Sequence, residues 1–253
     1  MYKYIISLTT IPSRINYIEK TLDSLIKQTI KPEKIVLNIP KSYTLRFNHL
    51  LDKTNVKKIF KKYIGKIVIN YIESDYGPGT KLLGLLKSNM INYGENDTYV
   101  VLVDDDLVYK PYMLEYFNNY NRKPDNEILV ASFFRYQFNN VLIGQGADGF
   151  FIKSELLHDF NNYYDIIKNY DYINYHDDFY ISYFFYLKTI HIEYIIPPYN
   201  TLIYSMNHIS ASSNALVDIQ DKYSRVNLQK QIYDIMSKLK DSKIFNDIQY
   251  TIM

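Results

Sequence analysis

The stretch VVLVDDDLVY, residues 100–109, carries four apolar residues directly into three adjacent aspartates, Asp104, Asp105 and Asp106. An apolar run this short, bounded by polar residues, is typical of a buried strand. Carboxylates about 4 to 6 Å apart repel each other by a few kcal/mol at an effective dielectric constant of about 20, and each raises the pKa of the other. The stretch therefore predicts a buried strand that ends at a site with a counter-charge.

The overall composition indicates one soluble globular unit. The chain has 253 residues, of which 47% are hydrophobic, and its 29 Lys and Arg nearly balance its 27 Asp and Glu. This balance does not suggest nucleic-acid binding. Because Cys is absent, disulfides, thiolate metal sites and Cys nucleophiles are excluded. We expect a cytoplasmic protein, since no stretch approaches the roughly 18 apolar residues of a membrane span and the first residues lack a signal-peptide pattern.

Short apolar strands alternate with helical patterns in the first half of the chain. The predicted strands are residues 3–10, 34–40, 66–72 and 98–103. Apolar residues at helical spacing follow the first, third and fourth of them, beginning at Ile15, Leu82 and Pro111. This alternation predicts an α/β fold with a mostly parallel sheet and helices on both faces. Ligands of such sheets bind at the carboxyl ends of the strands, which is where the three aspartates lie.

A divalent cation is the expected counter-charge for the aspartates. All-oxygen ligation favours Mg²⁺ or Mn²⁺ over Zn²⁺. Because side chains alternate along an extended chain, Asp104 and Asp106 are expected to point the same way as metal ligands, with Asp105 pointing across. A solvated acidic turn is the alternative interpretation of the motif.

Three further motifs follow the aspartates in the chain. They are GQGADGFF at 144–151, HDDFYIS at 176–182 and YSMNHIS at 204–210. Together with the strand that ends in DDD, they resemble the motifs of GT-A fold glycosyltransferases, over roughly residues 3–210. That resemblance implies a Rossmann-like, mostly parallel sheet and a metal that bridges the diphosphate of a nucleotide-sugar. Asp104 and Asp105 would then contact the donor, and Asp104 and Asp106 the metal.

The resemblance also implies roles for the later motifs. Asp178 matches the acid that serves as catalytic base in inverting members, and Asp177 would support it or contact the acceptor. His208 lies where many members have a metal-binding histidine. The loop residues expected near the donor sugar are Gly146, Ala147 and Asp148. Each motif also has an ordinary structural interpretation: a helix N-cap for the acid pair, a hairpin turn for the loop and a structural role for the histidine.

Two N-terminal segments resemble a branch of the family 2-like transferases. They are SLTTIPSRI at 7–15 and DYGPGTKL at 75–82. Hydroxyl groups there can bond a base or ribose, glycines allow close backbone approach, and basic side chains suit phosphate oxygens. The predicted nucleotide-binding residues are Thr9, Thr10, Pro12, Arg14, Asp75, Gly77 and Lys81. Surface positions for Arg14 and Lys81 are the alternative.

The sequence, read with this resemblance, predicts a metal-dependent glycosyltransferase that moves a sugar from a nucleotide-sugar to an acceptor hydroxyl. The resemblance implies that the donor is a UDP-sugar and that transfer proceeds with inversion. A phosphatase with Asp104 as nucleophile, Asp106 as acid and Ser132 nearby is a rival prediction, because VVLVDDDLV also fits the motif of aspartate-nucleophile phosphatases. A sugar-nucleotide pyrophosphorylase and a sugar-binding module without catalysis are two more candidates.

The end of the chain is less informative. Residues 1–210 are predicted to form the catalytic domain, with a nucleotide-binding half at 1–109 and a donor-sugar and acceptor half at 110–210. Residues 211–253 are predicted to form a polar loop and an amphipathic helix. That helix is expected to pack on the catalytic domain, cover the acceptor site or pair two subunits as a homodimer. The serines after His208 suggest a loop that closes over the donor.

Overall fold

The computed structural model describes residues 2–45, 49–50, 56–57, 60–94, 97–121, 127–170, 172–197, 202–206 and 225–240. Its strands are β1 (Lys3–Thr9), β2 (Lys34–Pro40), β3 (Ser42–Tyr43), β4 (His49–Leu50), β5 (Val68–Ile72), β6 (Thr98–Leu102), β7 (Leu107–Tyr109), β8 (Val130–Ser132), β9 (Arg135–Phe138), β10 (Val141–Gly144), β11 (Phe150–Lys153), β12 (Glu193–Tyr194) and β13 (Tyr204–Met206). Its main helices are α1 (Glu19–Ile26), α2 (Thr80–Lys87), α3 (Met113–Asn121), α4 (Phe160–Ile167), α5 (Asp177–Leu187) and α6 (Arg225–Lys240).

A seven-stranded sheet organises the molecule, in the order β12-β8-β11-β6-β1-β2-β5. Within its described strands, β11 runs antiparallel to both neighbours and the other pairings are parallel. Strand β1, in the interior of the sheet, has β2 on one side and β6 on the other, with Ser7 opposite Val36 and Leu102. The loops that leave β1 and β6 therefore open at the same edge, where the strand order reverses and ligands bind in such sheets.

Each face of the sheet buries its own hydrophobic core, because alternate residues of each strand point to opposite faces. Ile5 and Val100 face a core that contains side chains of α2, α4, α5 and α6. Tyr4 and Val101 face a second core that contains side chains of α1 and α3. The predicted α/β class, with a mostly parallel sheet between helices, is confirmed. No helix within the described ranges is long and apolar enough to cross a membrane.

The helix α6 packs against the same core as α5. Ile232 and Met236 are fully buried there, and the ring of Tyr233 lies edge-on to Phe138 and Tyr183. Of the placements predicted for this helix, packing on the preceding part of the chain is the one that the structure shows. Pairing of two subunits through it stays a prediction.

The first helix begins later than the sequence pattern predicts. Turns occupy residues 12–18, and α1 starts at Glu19, although Ile15 and Ile18 are both buried. A series of tight turns can bury residues three apart just as a helix does, so periodicity alone placed the start one turn too early.

A ladder of buried polar side chains seats α2 on the sheet. It runs across β1, β2 and β5: the Asn70 amide donates to Asn38 Oδ1 (2.8 Å), and the Asn38 amide donates to Ser7 Oγ (2.9 Å). Ser7 Oγ in turn donates to the backbone carbonyl of Lys81, and the Asn70 amide also donates to the carbonyl of Gly84 (3.0 Å). Buried amides need such partners. The ladder fixes the backbone from which the Lys81 side chain starts.

Gly84→Ala tests how closely α2 is seated. A Cβ at this position would lie 2.8 Å from Asn38 Oδ1. Alanine is about 1 kcal/mol better than glycine in a helix interior, but forcing the helix off the sheet costs about 1 to 3 kcal/mol. We expect a net loss in the free energy of unfolding, measured by urea denaturation. The control is Gly94→Ala, whose Cβ would meet nothing closer than 3.5 Å; stability equal to wild type for both variants would contradict this seating.

Candidate active site

The three aspartates form a turn between β6 and β7 at the carboxyl edge of the sheet. Asp104 and Asp106 are half-buried, whereas Asp105 is 5% exposed. The strand ends at Leu102, and Asp105 and Asp106 lie in a turn. Alternation of side chains along an extended strand, which was the basis for predicting that Asp105 points away from Asp104 and Asp106, is therefore not the reason why Asp105 is buried. Asp105 nevertheless points into the protein, because it has buried partners there.

Asp105 is held by the loop that follows β1. Its carboxylate accepts hydrogen bonds from Thr10 Oγ1 (2.6 Å) and from Arg14 (2.8 Å), and its backbone carbonyl accepts one from Thr21 Oγ1 (2.9 Å). The same Arg14 nitrogen lies 3.2 Å from Asp106. Arg14 is mostly buried, so its alternative placement as a surface residue is wrong. The guanidinium joins the N-terminal loop to the acidic turn.

The rest of the N-terminal loop lies beside this contact. Thr9 Oγ1 donates to the backbone carbonyl of Asn38 at 2.9 Å, and Pro12 lies in the turn before Arg14. The Ser13 hydroxyl is buried without a hydrogen-bond partner in the described part of the chain. Contacts of Thr9 and Pro12 with a nucleotide stay predictions.

Lys81 is the central cation of the site. Its side chain is 3% exposed, and its ammonium lies 2.6 Å from Asp104 Oδ1 and 3.1 Å from Asp177 Oδ2. Burial by itself would lower the pKa of Lys81, but the carboxylates of Asp104, Asp177 and Asp178 outweigh it and hold this pKa well above its ordinary value. The alternative of a solvated lysine at a helix start is wrong. The positive charge of Lys81, which was expected to bind phosphate oxygens, forms ion pairs with two carboxylates in the structure.

The acid pair opens α5. His176 is the N-cap residue, and the two aspartates occupy the first turn, so neither is the N-cap. Asp177 is buried against Lys81, whereas Asp178 is half-buried and accepts a hydrogen bond from the backbone N–H of Gly146 (2.9 Å).

Burial and neighbouring charge raise the pKa of several carboxyl groups here. Burial, followed by the charge of Asp177, raises the pKa of Asp178 to about 8 although Lys81 opposes it. Burial also raises the pKa of Asp177. Burial and the charges of Asp104 and Asp105 raise the pKa of Asp106 to about 6. The site thus carries more negative charge than its two cations offset.

The loop between β10 and β11 brings backbone close to both acidic motifs. Gly146–Asp148 forms a short 3-10 turn, and β10 and β11 pair with other strands, so the alternative of an ordinary hairpin turn is wrong. A Cβ on Gly146 would lie 2.7 Å from the Lys81 ammonium and 3.4 Å from Asp178 Oδ1, so a larger residue would require the ammonium to shift. Ala147, in the middle of the turn, is partly exposed, and Asp148, at its end, is buried. Contact of this loop with a donor sugar stays a prediction.

Tyr109 connects the acidic turn to this loop, and the sequence pattern does not predict it. Its hydroxyl accepts from the backbone N–H of Asp104 (2.9 Å) and donates to the carbonyl of Ala147 (3.1 Å). A tyrosine in an apolar strand of a chain with 28 tyrosines gives no sequence signal of such a role.

In the DYGPGTK segment, the Asp75 carboxylate and both glycines lie close to other parts of the chain. Asp75 accepts hydrogen bonds from the backbone N–H groups of Thr44 (2.9 Å), Leu45 (3.1 Å) and Gly77 (2.9 Å). These bonds fasten the segment after β3 to the turn before α2. A role of Asp75 in binding a nucleotide stays a prediction.

Both glycines of this segment are close to other parts of the chain. Gly77 has φ +58, and a Cβ there would lie 2.2 Å from the carbonyl oxygen of Asn174. A Cβ on Gly79 would lie 1.8 Å from the Tyr180 hydroxyl. In the structure their missing side chains therefore make room for the segment before α5 and for α5 itself. A nucleotide contact at Gly77 stays a prediction.

His208, Ser210, Ser212 and Ser213 lie outside the described residues. Within the described ranges, no group of three or more His, Asp or Glu side chains is arranged to hold a metal ion by itself.

No protein-family model matches this sequence, and no curated protein matches it. Similar solved structures include S. aureus TarS 1–349, with a TM-score of 0.49, 14% identity and coverage of 100% of this chain and 76% of that chain. Glycosyltransferase GlyE of Streptococcus pneumoniae TIGR4 has a TM-score of 0.46 and 12% identity, over 98% of this chain and 62% of that chain. Glucosyl-3-phosphoglycerate synthase from Mycobacterium tuberculosis has a TM-score of 0.41 and 14% identity, over 62% of this chain and 58% of that chain.

TarS 1–349 has also been solved in complex with UDP and in complex with UDP-GlcNAc. At these identities and TM-scores, the comparison describes a similarity of fold only. The function of the site is therefore argued from the residues of this chain.

Asp178→Asn tests the raised pKa through protein stability. The folded state keeps a proton on Asp178 up to a pKa of about 8, whereas an unfolded chain releases it at about 3.9. Between these values the folded state binds more protons, so the contribution of Asp178 to stability falls as pH rises. Asparagine mimics the neutral form.

We therefore expect the variant to gain more than about 1 kcal/mol relative to wild type between pH 5 and pH 8, measured by urea denaturation at both pH values. Asp165→Asn, which removes a half-exposed carboxylate elsewhere on the surface, is the matched control. A pH-independent difference between Asp178→Asn and wild type would show that this carboxyl group titrates normally.

Proposed function

We propose that this chain is a glycosyltransferase that moves a sugar from a nucleoside-diphosphate sugar to an acceptor hydroxyl, with inversion at the anomeric carbon. The observation that carries the proposal is the convergence of the acidic turn and the acid pair on one buried ammonium, Lys81, which lies 2.6 Å from Asp104 and 3.1 Å from Asp177. The acidic turn was expected at the ligand edge of the sheet, and the glycine backbone at 146 approaches the same point.

The chemistry requires two kinds of group. The bond between the anomeric carbon and the diphosphate breaks, which leaves charge on the nucleotide, and a bond to the acceptor oxygen forms while that oxygen loses its proton. Asp178 is our candidate to take this proton. It is half-buried, and a pKa raised to about 8 makes its ionised form a stronger base than an ordinary carboxylate. Its hydrogen bond from Gly146 orients it.

Lys81 and Arg14 keep the acidic groups in place. Lys81 holds Asp104 and Asp177 at a fixed separation, and Arg14 does the same for Asp105 and Asp106. Because both cations are mostly buried, the carboxylate positions are set before a substrate arrives, which lowers the reorganisation needed in the transition state.

A divalent cation fits the acidic turn. Mg²⁺ commonly uses one or two carboxylates and completes its shell with phosphate oxygens and water, so a cage of three protein ligands is not required. Asp104 and Asp106 are the half-buried carboxylates of the turn. Burial raises the pKa of Asp106, and so does repulsion from Asp104 and Asp105, which a cation would relieve. We propose that they hold Mn²⁺ or Mg²⁺. Such an ion acts as a Lewis acid towards the diphosphate leaving group.

The donor base is proposed to be uridine, because that is the partner that the sequence resemblance implies. UDP-sugars are therefore the first donors to test, and GDP-sugars the second. Release of the nucleoside diphosphate in the presence of Mn²⁺ and simple sugar acceptors is the direct test.

The phosphatase alternative lacks support from the sheet. It needs Ser132 beside Asp104, but β11 lies between β6 and β8. With strands about 4.8 Å apart, the ends of β6 and β8 are separated by two strand spacings. Ser132 Oγ instead contacts the backbone of Gln145, where it accepts from the N–H and donates to the carbonyl, both at 3.2 Å.

Asp178→Asn also tests the base assignment. We expect transfer to fall by about 10² to 10⁴, because the amide cannot take the acceptor proton, while the affinity for UDP-sugar changes by less than about threefold. Steady-state kinetics and calorimetry measure the two quantities. Asp165→Asn is again the control and should transfer normally. Normal transfer by Asp178→Asn would remove Asp178 from this role.

Asp106→Asn tests the metal ligand assignment without activity as the readout. For wild type we expect Mn²⁺ to tighten UDP binding at least about tenfold, equivalent to about 1.4 kcal/mol. For the variant we expect the effect of Mn²⁺ to fall below about twofold. Calorimetric titration of UDP with and without Mn²⁺ checks this. An equal effect of Mn²⁺ on both proteins would contradict the assignment.

A further inference from the structure

Gln229 is a buried polar residue in the C-terminal helix that reaches the start of α5. Its side chain is 5% exposed, and its amide nitrogen lies 3.0 Å from Nε2 of His176 and within hydrogen-bond distance of the Tyr136 hydroxyl. The three side chains come from α6, from the residue before α5 and from β9. Gln229 and Tyr136 lie outside the motifs that carry the proposed function, and His176 is the first residue of the HDDFYIS motif.

The rest of α6 anchors Gln229 at this point. One and two turns further along the helix, Ile232 and Met236 are fully buried, and the Met236 sulfur lies 3.9 Å from the Tyr163 hydroxyl. Tyr233 donates a hydrogen bond to Asn140 Oδ1 (3.0 Å). Burying an amide costs free energy unless it is hydrogen-bonded. The contact with His176 thus explains why a glutamine is accommodated on the buried face of this helix.

His176 is the residue directly before α5. Its backbone, at φ −144 and ψ 77, is not helical, and its side chain makes no capping hydrogen bond to the helix. Its ring instead lies edge-on to Phe179, with centroids 6.0 Å apart, and accepts from Gln229 through Nε2. Because an amide nitrogen is a donor, the neutral ring carries its proton on Nδ1. The ring is thus fixed on both sides, directly before the two acids.

We propose that Gln229 and His176 form a positioning pair that holds the first turn of α5, and with it Asp178, against the Gly146 N–H. The C-terminal helix is then part of the catalytic unit. In this proposal both residues act through the placement of Asp177 and Asp178. The kinetic side of this inference rests on the proposed function, whereas the placement of Asp178 does not.

The structural test uses the Gly146 amide, which donates to Asp178 Oδ1 at 2.9 Å. Its NMR cross-peak reports that hydrogen bond in the intact protein. We expect Gln229→Leu, which keeps the size but removes the amide, to shift the Gly146 signal. Gln231→Leu on the exposed side of the same helix should leave it in place. An unmoved Gly146 signal in a folded Gln229→Leu protein would overturn the proposal.

Variants of His176 supply the second arm. Glutamine can present its carbonyl oxygen near the position of Nε2, so His176→Gln should retain the wild-type Gly146 signal, whereas His176→Leu should shift it as Gln229→Leu does. The double variant should be no worse than either single one, since both remove the same interaction. Additive effects would show that the two residues act independently.

Should Gln229→Leu fail to fold, Gln229→Asn replaces it, because the shorter side chain keeps the amide but withdraws it from the ring.

The kinetic arm separates positioning from binding. In Gln229→Leu we expect kcat to fall about 10- to 100-fold, as misplaced catalytic groups do, with the KM for the donor within about twofold of wild type. Gln231→Leu should match wild type, and His176→Gln should restore most of the rate. A changed KM with unchanged kcat would overturn the proposal. If wild type transfers no sugar at all, the proposed function fails, and the Gly146 signal still decides the positioning pair.

Discussion

The structure depends on the ion pairs of one buried ammonium. Lys81 is 3% exposed, and its charge is balanced by Asp104 at 2.6 Å and Asp177 at 3.1 Å. Removing a charge from water costs several kcal/mol, so such a group persists only with well-placed partners. Those partners belong to the turn after β6 and to the start of α5, which are 73 residues apart in the sequence. One cation thereby sets the distance between the two acidic motifs.

The surroundings of Lys81 follow from the need to place this charge. The Ser7, Asn38 and Asn70 ladder holds its backbone on the sheet, and Gly146 leaves room for its ammonium. The same loop backbone then reaches Asp178. Fold and site are therefore not separable here, because the polar groups that hold α2 on the sheet also orient the side chain between the acids.

Much of the fold could be predicted from local patterns. Apolar runs gave the strands, and the carboxyl-end rule placed the acidic turn and the N-terminal loop together. The orientation of the aspartates was predicted on wrong grounds, because periodicity does not show that the strand ends at Leu102. For Gly77 and Gly79 the sequence indicates that a backbone needs room, but not that Asn174 and Tyr180 take it. Pairings such as Tyr109 with Ala147 link distant positions and leave no periodic signal.

The position of α6 in the chain has a consequence for biosynthesis. Gln229 follows His176 by 53 residues, and every strand of the central sheet precedes residue 195. Since folding begins while a polypeptide is still being made, a nascent chain can assemble its sheet while the ring before the acid pair still lacks its amide partner. The acid pair would then reach its final setting late, after α6 has been translated.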